Sequence, residues 1–355
     1  MSAFAGNSSV SPGLEAPGCS FCCCSLLSRT LTVVFMVSLA TAIVAANAVT
    51  LTVFVQTRQW RTPQGYLKVS LALADMMVGV LVVPFSVYTE ISLLAAAVPP
   101  SWFQKDPALS TGSSPGSWQP CKLIGPVFAG CTFVSISTIF LMTLERSVAI
   151  LRPLHKDGLV TRRRTLLLVA LSWAGSFLLA LAPLCLSDSF TLEYNACSRM
   201  CNYAPLLAES SLPSDSSVML LFPAFDFTLL SGTLAINVLS FSSIRRYTRK
   251  RKLLSEGGPQ ANGCPHPPSF SDIKAAKTIS ILTFAFAASF TPIAVFVLGN
   301  VAGHAWCGFS FFAFWMLTAN SCCNVIIYSA RDRRFRRGVT LLLRPGRPPL
   351  LEDKS

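Results

Sequence analysis

The chain has 355 residues, of which 52% are hydrophobic and only 13% carry a charge, and its mean hydropathy is +0.54. Soluble domains contain about 25% charged residues, so this composition excludes an ordinary soluble enzyme. The apolar content also excludes a disordered chain, which lacks enough apolar surface to fold. The formal net charge of +13 fits either a nucleic acid or a membrane surface as a partner, and the position of the charges must decide between them.

Seven stretches of the chain carry no charge or a single acid, and each is long enough to cross a bilayer as a helix, which takes about 20 residues. They cover residues 30–56, 69–88, 123–144, 165–186, 216–244, 278–301 and 307–330. Only helices and closed barrels satisfy the backbone in lipid, and the alternating segments of a barrel are absent from the sequence. The sequence therefore predicts an all-α membrane protein, with a seven-transmembrane helix bundle at 30–330 between an N-terminal segment at 1–29 and a cytoplasmic tail at 331–355.

The positions of Lys and Arg set the expected orientation of this bundle, because cytoplasmic loops carry an excess of both. With the N-terminus outside, 25 of the 29 basic residues fall on the inner side. The basic excess is therefore a signal of topology, and no nucleic acid is expected as a partner. The first 28 residues contain neither Lys nor Arg, so we expect the first helix, rather than a cleaved signal peptide, to anchor the chain. An N-glycosylation sequon at Asn7 lies on the expected outer side.

The segment after the seventh stretch predicts a short amphipathic helix on the inner leaflet. It combines a basic run at 331–337 with Phe335 and an apolar end at 341–343. Basic residues beside an apolar face are typical of a helix that lies on membrane lipids.

Cysteines on the expected outer side predict a disulfide. Cys121 lies at the outer end of the third stretch, and Cys197 and Cys201 lie in the second outer loop. The outer compartment permits disulfides, so we expect one of the two loop cysteines to bond Cys121. The sequence does not decide which of the two it is.

Polar side chains inside the predicted helices are functional candidates, because ionisable groups are costly in hydrocarbon. At helical spacing, six of them are expected to converge at one depth of the bundle: Asn47, Asp75, Ser135, Asn320, Ser321 and Asn324. One carboxylate with several neutral oxygens suits a small hard cation such as sodium. The alternative is a polar network that only ties the helices together.

A second charged group lies at the inner ends of two predicted helices. Arg146 follows Glu145 at the end of helix three, and Asp272 lies at the inner end of helix six. Pairing of Arg146 with both acids would form a latch that a partner releases. The alternative is a snorkelling ion pair that holds the helix interface.

These residues also carry a resemblance to a known family. Its motif residues occur in order: Asn47, the 71–75 segment ending in Asp75, Cys121, the Glu145-Arg146-Ser147 triplet, Trp173, Pro183, Phe290-Thr291-Pro292, the 324–328 segment and Phe335. Cys121 lies 25 residues before Arg146, which is the spacing expected in that family. Over residues 30–340 the chain thus resembles the rhodopsin-class (class A) G-protein-coupled receptors.

The resemblance implies roles for the polar residues described above. The group around Asp75 would be the sodium site of the family, with sodium as an allosteric ligand and no other cofactor. Arg146 would meet a heterotrimeric G protein, and Asp272 would be its resting-state partner. Asn324 and Tyr328 would belong to the switch in helix seven.

Four departures from the family pattern bear on signalling. Ser147 replaces a tyrosine, Val325 replaces a proline and Phe290 replaces a tryptophan. Asn237 stands where helix five usually carries a tyrosine that supports the active state together with Tyr328. The absence of that tyrosine predicts unusual basal activity or weak coupling. The changes at Ser147, Val325 and Phe290 also support an alternative, a receptor-like scaffold that does not signal or that modulates another receptor through a dimer.

The resemblance further places a ligand pocket in the outer half of the bundle. Phe128 occupies the position of the amine-binding aspartate of monoamine receptors, and Thr318 that of the retinal lysine of opsins, so neither class is expected. The pocket residues would be mainly aromatic and apolar, as is usual for small-molecule sites: Phe128, Cys131, Thr132, Phe286, Phe290, Phe311, Phe314 and Thr318. The alternative is that several of these phenylalanines face lipid or neighbouring helices.

Two acids add charge to this region, Asp226 in the outer half of helix five and Glu90 at the outer end of helix two. An unpaired carboxylate is costly in the membrane. We therefore hypothesise that Asp226 is the counter-ion of a cationic ligand. A protonated or hydrated carboxyl group is the alternative.

Taken together, these features predict a plasma-membrane receptor that couples an unknown extracellular ligand to a heterotrimeric G protein. Ligand binding would favour an outward swing of helix six and break the contact between Arg146 and Asp272, as a shift between two populations. The sequence contains neither a metalloprotease motif nor a phosphate loop, so no enzyme is expected. A transporter or channel would show inverted repeats or broken helices, and neither is apparent.

Overall fold

Seven long helices make up most of the described part of the chain, which confirms the predicted bundle. The computed structural model describes residues 26–56, 62–95, 119–152, 156–186, 190–205, 218–256, 270–304 and 306–343, so the sequon at Asn7 lies outside the described residues. The helices are α1 (Leu26–Gln56), α2 (Pro63–Ala95), α3 (Cys121–Leu151), α4 (Arg162–Leu186), α5 (Leu221–Glu256), α6 (Phe270–Val301) and α7 (Cys307–Arg331). All seven are long and apolar enough to cross a membrane.

A shorter helix, α8 (Arg333–Leu343), follows α7 directly and agrees with the predicted amphipathic helix. Asp332 separates the two helices, and its Oδ1 accepts a hydrogen bond from the amide of Phe335 at 3.3 Å. Phe335 is fully buried and packs against the rings of Phe54 and Tyr328, at 6.1 and 5.9 Å between centroids. Because Arg336 stays exposed, α8 has an apolar face against the bundle and a basic face outward.

The observed helices extend past the apolar stretches that predict them. α2 starts at Pro63 rather than at 69, because the Thr62 hydroxyl caps it by accepting a hydrogen bond from the Gly65 amide at 3.0 Å. α5 continues past its apolar stretch, through the basic segment at 245–252, to Glu256, since Arg and Lys are good helix formers. Apolar composition thus marks the part of a helix that lies in lipid, while caps and propensity set its ends.

α3 is the central helix of the bundle. In its most apolar window 72% of the residues are buried, against 17% in α1 and in α4. Leucines exposed on α4, such as Leu167 and Leu178, form the kind of surface that acyl chains cover. Gly130 lets α4 approach α3 closely, because a Cβ at this position would lie 2.9 Å from the ring of Phe177.

A β-hairpin that the sequence did not predict covers one end of the bundle. Its strands, β1 (Phe190–Asn195) and β2 (Met200–Pro205), pair antiparallel with Leu192 opposite Tyr203. Leu192 is buried against α3 at Gly125, where an added Cβ would lie only 2.5 Å from the Leu192 side chain. The hairpin is therefore seated on α3 by direct packing.

Two disulfides attach this hairpin to the helices. Cys201 in β2 bonds Cys121 at the start of α3, which decides between the two loop cysteines that the sequence left open. Cys197 in the hairpin turn bonds Cys307 at the start of α7. No local pattern in the sequence indicates this second bridge, because Cys307 opens an apolar stretch and only the fold brings it beside the loop.

Candidate functional site

A cavity of about 660 Å³ lies beneath the hairpin, between α3, α5, α6 and α7. Five of the predicted pocket residues line it: Phe128, Thr132, Asp226, Phe290 and Phe314. The rings of Phe128 and Phe314 stack with their centroids 6.0 Å apart and so connect α3 with α7. The size and the largely aromatic wall suit a drug-sized organic molecule.

Four other residues of the predicted pocket do not line this cavity: Cys131, Phe286, Phe311 and Thr318. Phe286 stacks beneath Phe290 at 6.0 Å, and the Thr318 hydroxyl donates to the carbonyl of Phe314 at 2.8 Å. Cys131 is buried in the interior, and Phe311 packs against Trp315 at 5.9 Å. These four side chains support the cavity wall or fill the space beside it.

The hairpin and the C-terminal part of α6 supply cavity residues that were not predicted from the sequence: Phe190, Asn195, Asn202, Tyr203, Phe296 and Asn300. The Tyr203 hydroxyl donates to the carbonyl of Ala180 in α4 at 2.6 Å. Burial raises the pKa of Tyr203, so this phenol remains a donor. The sequence contained a signal for the hairpin residues, because a disulfide between Cys121 and Cys201 would place the neighbours of Cys201 over the end of α3.

Asp226 is the deepest cavity residue on α5. Its side chain is 1% exposed, and its Oδ1 has no hydrogen-bond partner among the described residues. Lys and Arg are absent from the described residues that line the cavity. Since a buried carboxylate without compensation is costly, its charge must be neutralised by a proton or by a bound group.

Glu90 lies outside the cavity and holds the hairpin in place. Its buried carboxylate accepts a hydrogen bond from the Tyr194 hydroxyl at 2.7 Å, pairs with Arg199 and lies 4.0 Å from Arg29. Burial, together with the neighbouring charge of Glu90, raises the pKa of Tyr194, so the phenol stays protonated. Two arginines of the chain thus neutralise Glu90, and the expectation that it recognises a ligand charge is not supported by this placement.

The six polar residues that were expected to converge are all buried: Asn47, Asp75, Ser135, Asn320, Ser321 and Asn324. The Asn324 amide donates to Asp75 Oδ2 at 2.6 Å, which joins α7 to α2. The Asn47 amide donates to the carbonyl of Ser321 at 2.9 Å, which joins α1 to α7. Just after Asp75, α2 contains a π-helical turn at Val78–Val82, a local widening that is frequent at functional sites.

Arg146 lies near the end of α3 that is farthest from the hairpin. Its guanidinium pairs with Glu145, with Nε 2.9 Å from Oε2, and donates to the side-chain oxygen of Gln64 in α2. Asp272 belongs to the first turn of α6, but its side chain lies outside the described residues. The pairing of Arg146 with Asp272 therefore stays a prediction.

Comparison with known proteins gives a family match over most of the chain. Residues 46–328 match the model of the 7 transmembrane receptor (rhodopsin family). The adenosine receptor A2a of Homo sapiens is 25% identical over 294 residues, which are 79% of this chain and 64% of that receptor. The adenosine receptor A3 of Bos taurus is 23% identical over 289 residues, 80% of each chain.

A receptor of a different named kind matches over a similar part of the chain. A probable glycoprotein hormone G-protein coupled receptor of Anthopleura elegantissima is 25% identical over 314 residues, 86% of this chain and 30% of that protein. The chain spans less than two thirds of the length of the A2a receptors that it matches, at 64%. The similarity thus covers the helical bundle and extends across receptors with different named ligands.

Proposed function

Because this chain belongs to the rhodopsin family of seven-transmembrane receptors, we propose that it transmits the binding of an extracellular ligand to a heterotrimeric G protein. The chain is a multi-pass membrane receptor, and its family and relatives are receptors rather than enzymes. We place it in the plasma membrane with the N-terminus outside, since 25 of its 29 basic residues then lie inside. The hairpin and the cavity then face the exterior, and Arg146 faces the cytoplasm.

The observation that carries this proposal is the separation of two sites along α3. Phe128 lines the cavity, and Arg146 lies 18 residues further along the same helix. At a rise of 1.5 Å per residue this is about 27 Å, so a ligand in the cavity and a protein at Arg146 cannot touch each other. The two sites must therefore communicate through helix packing.

α6 is the helix best placed for this communication. It contributes Phe290 to the cavity and carries Asp272 at its other end. Pro292 lies inside the helix, where a missing backbone hydrogen bond permits a bend. A ligand that binds better when the inner end of α6 swings outward shifts the population toward that open arrangement.

We also propose sodium as an allosteric ligand of the buried polar group around Asp75. The donors fit a hard cation, because they combine one carboxylate with hydroxyl and amide oxygens. Asn47 Oδ1 in this group has no hydrogen-bond partner among the described residues.

The melting temperature of the purified receptor should be higher in sodium chloride than in potassium chloride, and Asp75→Asn should remove the difference. Equal melting of the unmodified receptor in both salts would favour the polar network without an ion.

A specific observation favours a second candidate, a receptor-like scaffold that modulates another receptor in a dimer. Asn237 replaces the family tyrosine of helix five, and its buried Nδ2 has no hydrogen-bond partner among the described residues. The buried hydroxyl of Tyr328 likewise has none within that part of the chain. The two groups that would stabilise an active state are thus altered or unengaged.

Second-messenger assays separate the two candidates without a ligand. We expect a basal cAMP, calcium or inositol-phosphate signal above that of cells lacking the receptor, and its loss in Arg146→Ala at equal surface expression. Lys122→Ala is the matched control, because it removes an exposed cation from the other end of α3. Silence across all G-protein families, with the receptor at the cell surface, would support the scaffold instead.

A further inference from the structure

We propose that the cavity binds an aromatic organic cation whose charged nitrogen pairs with Asp226 of α5. The proposal rests on the proposed function only in treating the cavity as the ligand site. Binding itself requires no G protein, so it can be measured on the isolated receptor.

The unpartnered polar atoms of the cavity wall are the first argument. Two residues of the cavity wall, Asp226 and Asn202, each have a buried Oδ1 without a hydrogen-bond partner among the described residues. Both atoms are acceptors, and a buried acceptor without a donor costs the full desolvation of that group. A ligand that brings donors satisfies both atoms, whereas an anion leaves them opposed by further acceptors.

The charge balance of the buried acids is the second argument. Glu90 has Arg199 and Arg29 beside it, and Asp75 accepts a hydrogen bond from the Asn324 amide. Asp226 is equally buried, yet the described cavity wall offers it neither Lys nor Arg. The chain therefore supplies partners for these two acids, as it does for the buried Glu145 beside Arg146, and leaves Asp226 at the wall of a cavity large enough for a ligand.

The depth of Asp226 fixes how the ligand lies. The cavity residues of α5 run from Phe222, whose ring packs against Tyr203 of the hairpin, to Asp226, the last of them along the helix. On α6, which runs antiparallel to α5, the cavity residue farthest from the hairpin is Phe290. The nitrogen thus lies at the floor of the cavity, and the rest of the ligand extends toward the hairpin. His304, the one basic side chain among the described residues of the wall, is exposed just beyond the opposite end of α6 and does not reach this floor.

The aromatic wall is the third argument. Eight Phe and Tyr side chains line the cavity, among them Phe290 beside the floor. The ring of Phe227 meets Phe290 edge-on at 5.8 Å and holds it in place. Aromatic faces attract organic cations and stack with flat rings, so this wall suits an aromatic body attached to an ammonium group. In this arrangement α5 supplies the acid that binds the cation. This agrees with the presence of Phe128, rather than an acid, at the α3 position that carries the amine-binding aspartate in monoamine receptors.

The test compares charged and neutral probes on the full-length receptor, purified in detergent. Tryptamine and phenethylamine are the cationic probes, and tryptophol, which replaces the ammonium of tryptamine with a hydroxyl, is the neutral counterpart. Adenosine, a neutral nucleoside, is included because several relatives are adenosine receptors. At about 1 mM, a probe that binds the folded receptor raises its melting temperature. We expect a rise with at least one of the two amines and none with tryptophol or adenosine.

Asp226→Asn provides the decisive variant. We expect it to weaken the apparent affinity for the amine by roughly 30-fold or more, as for the loss of one partner of a buried charge pair. We also expect the empty variant to melt at a higher temperature than the empty wild type, because an ionisable carboxyl group no longer has to be buried without a charged partner. The melting curve of the empty variant also shows whether it folds. Glu193→Gln is the matched control, since it neutralises an acid of the hairpin that does not line the cavity.

Three results would overturn the proposal. They are a neutral probe that raises the melting temperature as much as the amines do, an Asp226→Asn receptor that keeps the amine response, and a wild type that responds to neither amine. A silent second-messenger assay leaves an amine response intact, so failure of signalling and failure of this ligand class are told apart.

Discussion

Near the N-terminal end of α2, the ammonium group of Lys68 lies 3.2 Å from Asp332 Oδ2. It also lies 5.0 Å from the ring centroid of Tyr328 and 5.4 Å from that of Phe54. The Lys68 side chain is only 13% exposed. A single cation thus joins α1, α2, α7 and the start of α8, and it restrains the tyrosine that the family resemblance assigns to the helix-seven switch.

Lys68→Met should therefore weaken this junction. The substitution keeps the apolar stem but leaves Asp332 without its ammonium partner and the Tyr328 ring without its cation. We expect a loss of about 1.5–3 kcal/mol, the range for hydrogen bonds to charged groups, seen as a lower melting temperature of the purified receptor. If Asp332→Asn causes a similar loss and the double variant loses no more than either single one, the two side chains act as a pair.

A control distinguishes this effect from a general loss of positive charge. Lys122→Met removes an exposed lysine at the start of α3 and should leave the melting temperature unchanged. Melting of Lys68→Met at the wild-type temperature would show that the contacts of Lys68 add nothing to stability.

Among the elements, the hairpin of β1 and β2 is attached to four different helices. Cys201 bonds α3, Cys197 bonds α7, Tyr203 donates to Ala180 of α4, and Glu90 of α2 holds both Tyr194 and Arg199. Asn202 of the same hairpin lines the cavity. The attachments therefore fix the shape of the cavity as well as the position of the loop.

Removal of the second bridge by Cys197→Ser with Cys307→Ser should give a folded but less stable receptor. The bridge links residues 110 positions apart, and a disulfide that closes a long loop contributes about 2–4 kcal/mol. We expect a lower melting temperature. Cys121→Ser with Cys201→Ser is the matched comparison for the first bridge.

A maleimide should label the Cys307 peptide in the single Cys197→Ser variant only. Labelling of that peptide in unreduced wild type would contradict the bridge.

Across the whole molecule, positive charge is concentrated at one end. Exposed basic residues there include Arg245 and Arg246 of α5, Lys277 of α6 and Arg336 of α8. At the other end, two of the arginines, Arg29 and Arg199, are already paired with Glu90. This asymmetry suits an inner surface that faces anionic lipids and a G protein.

Epitope tags test the resulting topology. A tag before residue 1 should be accessible to antibody on intact cells, and a tag after residue 355 should become accessible only after permeabilisation, because seven crossings place the two ends on opposite sides. Accessibility of both tags on intact cells would exclude the seven-crossing arrangement. Asn7→Gln should also increase the electrophoretic mobility of the receptor, if the sequon carries a glycan on the outer side.

The sequence predicted the features that depend on local composition. The seven spans follow from apolar stretches, and the amphipathic helix follows from Phe335 among arginines. Both can be predicted because the affinity of a segment for lipid depends mainly on its own composition. The family motifs then indicated which polar residues would lie close together in the bundle. Two of them, Asp75 and Asn324, are in contact at 2.6 Å in the structure. The ends of the helices were not predicted from composition, because a cap such as that of Thr62 depends on a single hydrogen bond.

Only the tertiary structure decided which distant residues meet. Lys68 and Asp332 are 264 positions apart, and Cys197 and Cys307 are 110 apart, so no local pattern links either pair. The same holds for Glu90 and Asp226: both are single acids near the outer ends of apolar helices, yet one has arginine partners and the other faces a cavity. Hydropathy measures the transfer of each segment into lipid, whereas the partner of a buried charge depends on how the segments pack against each other.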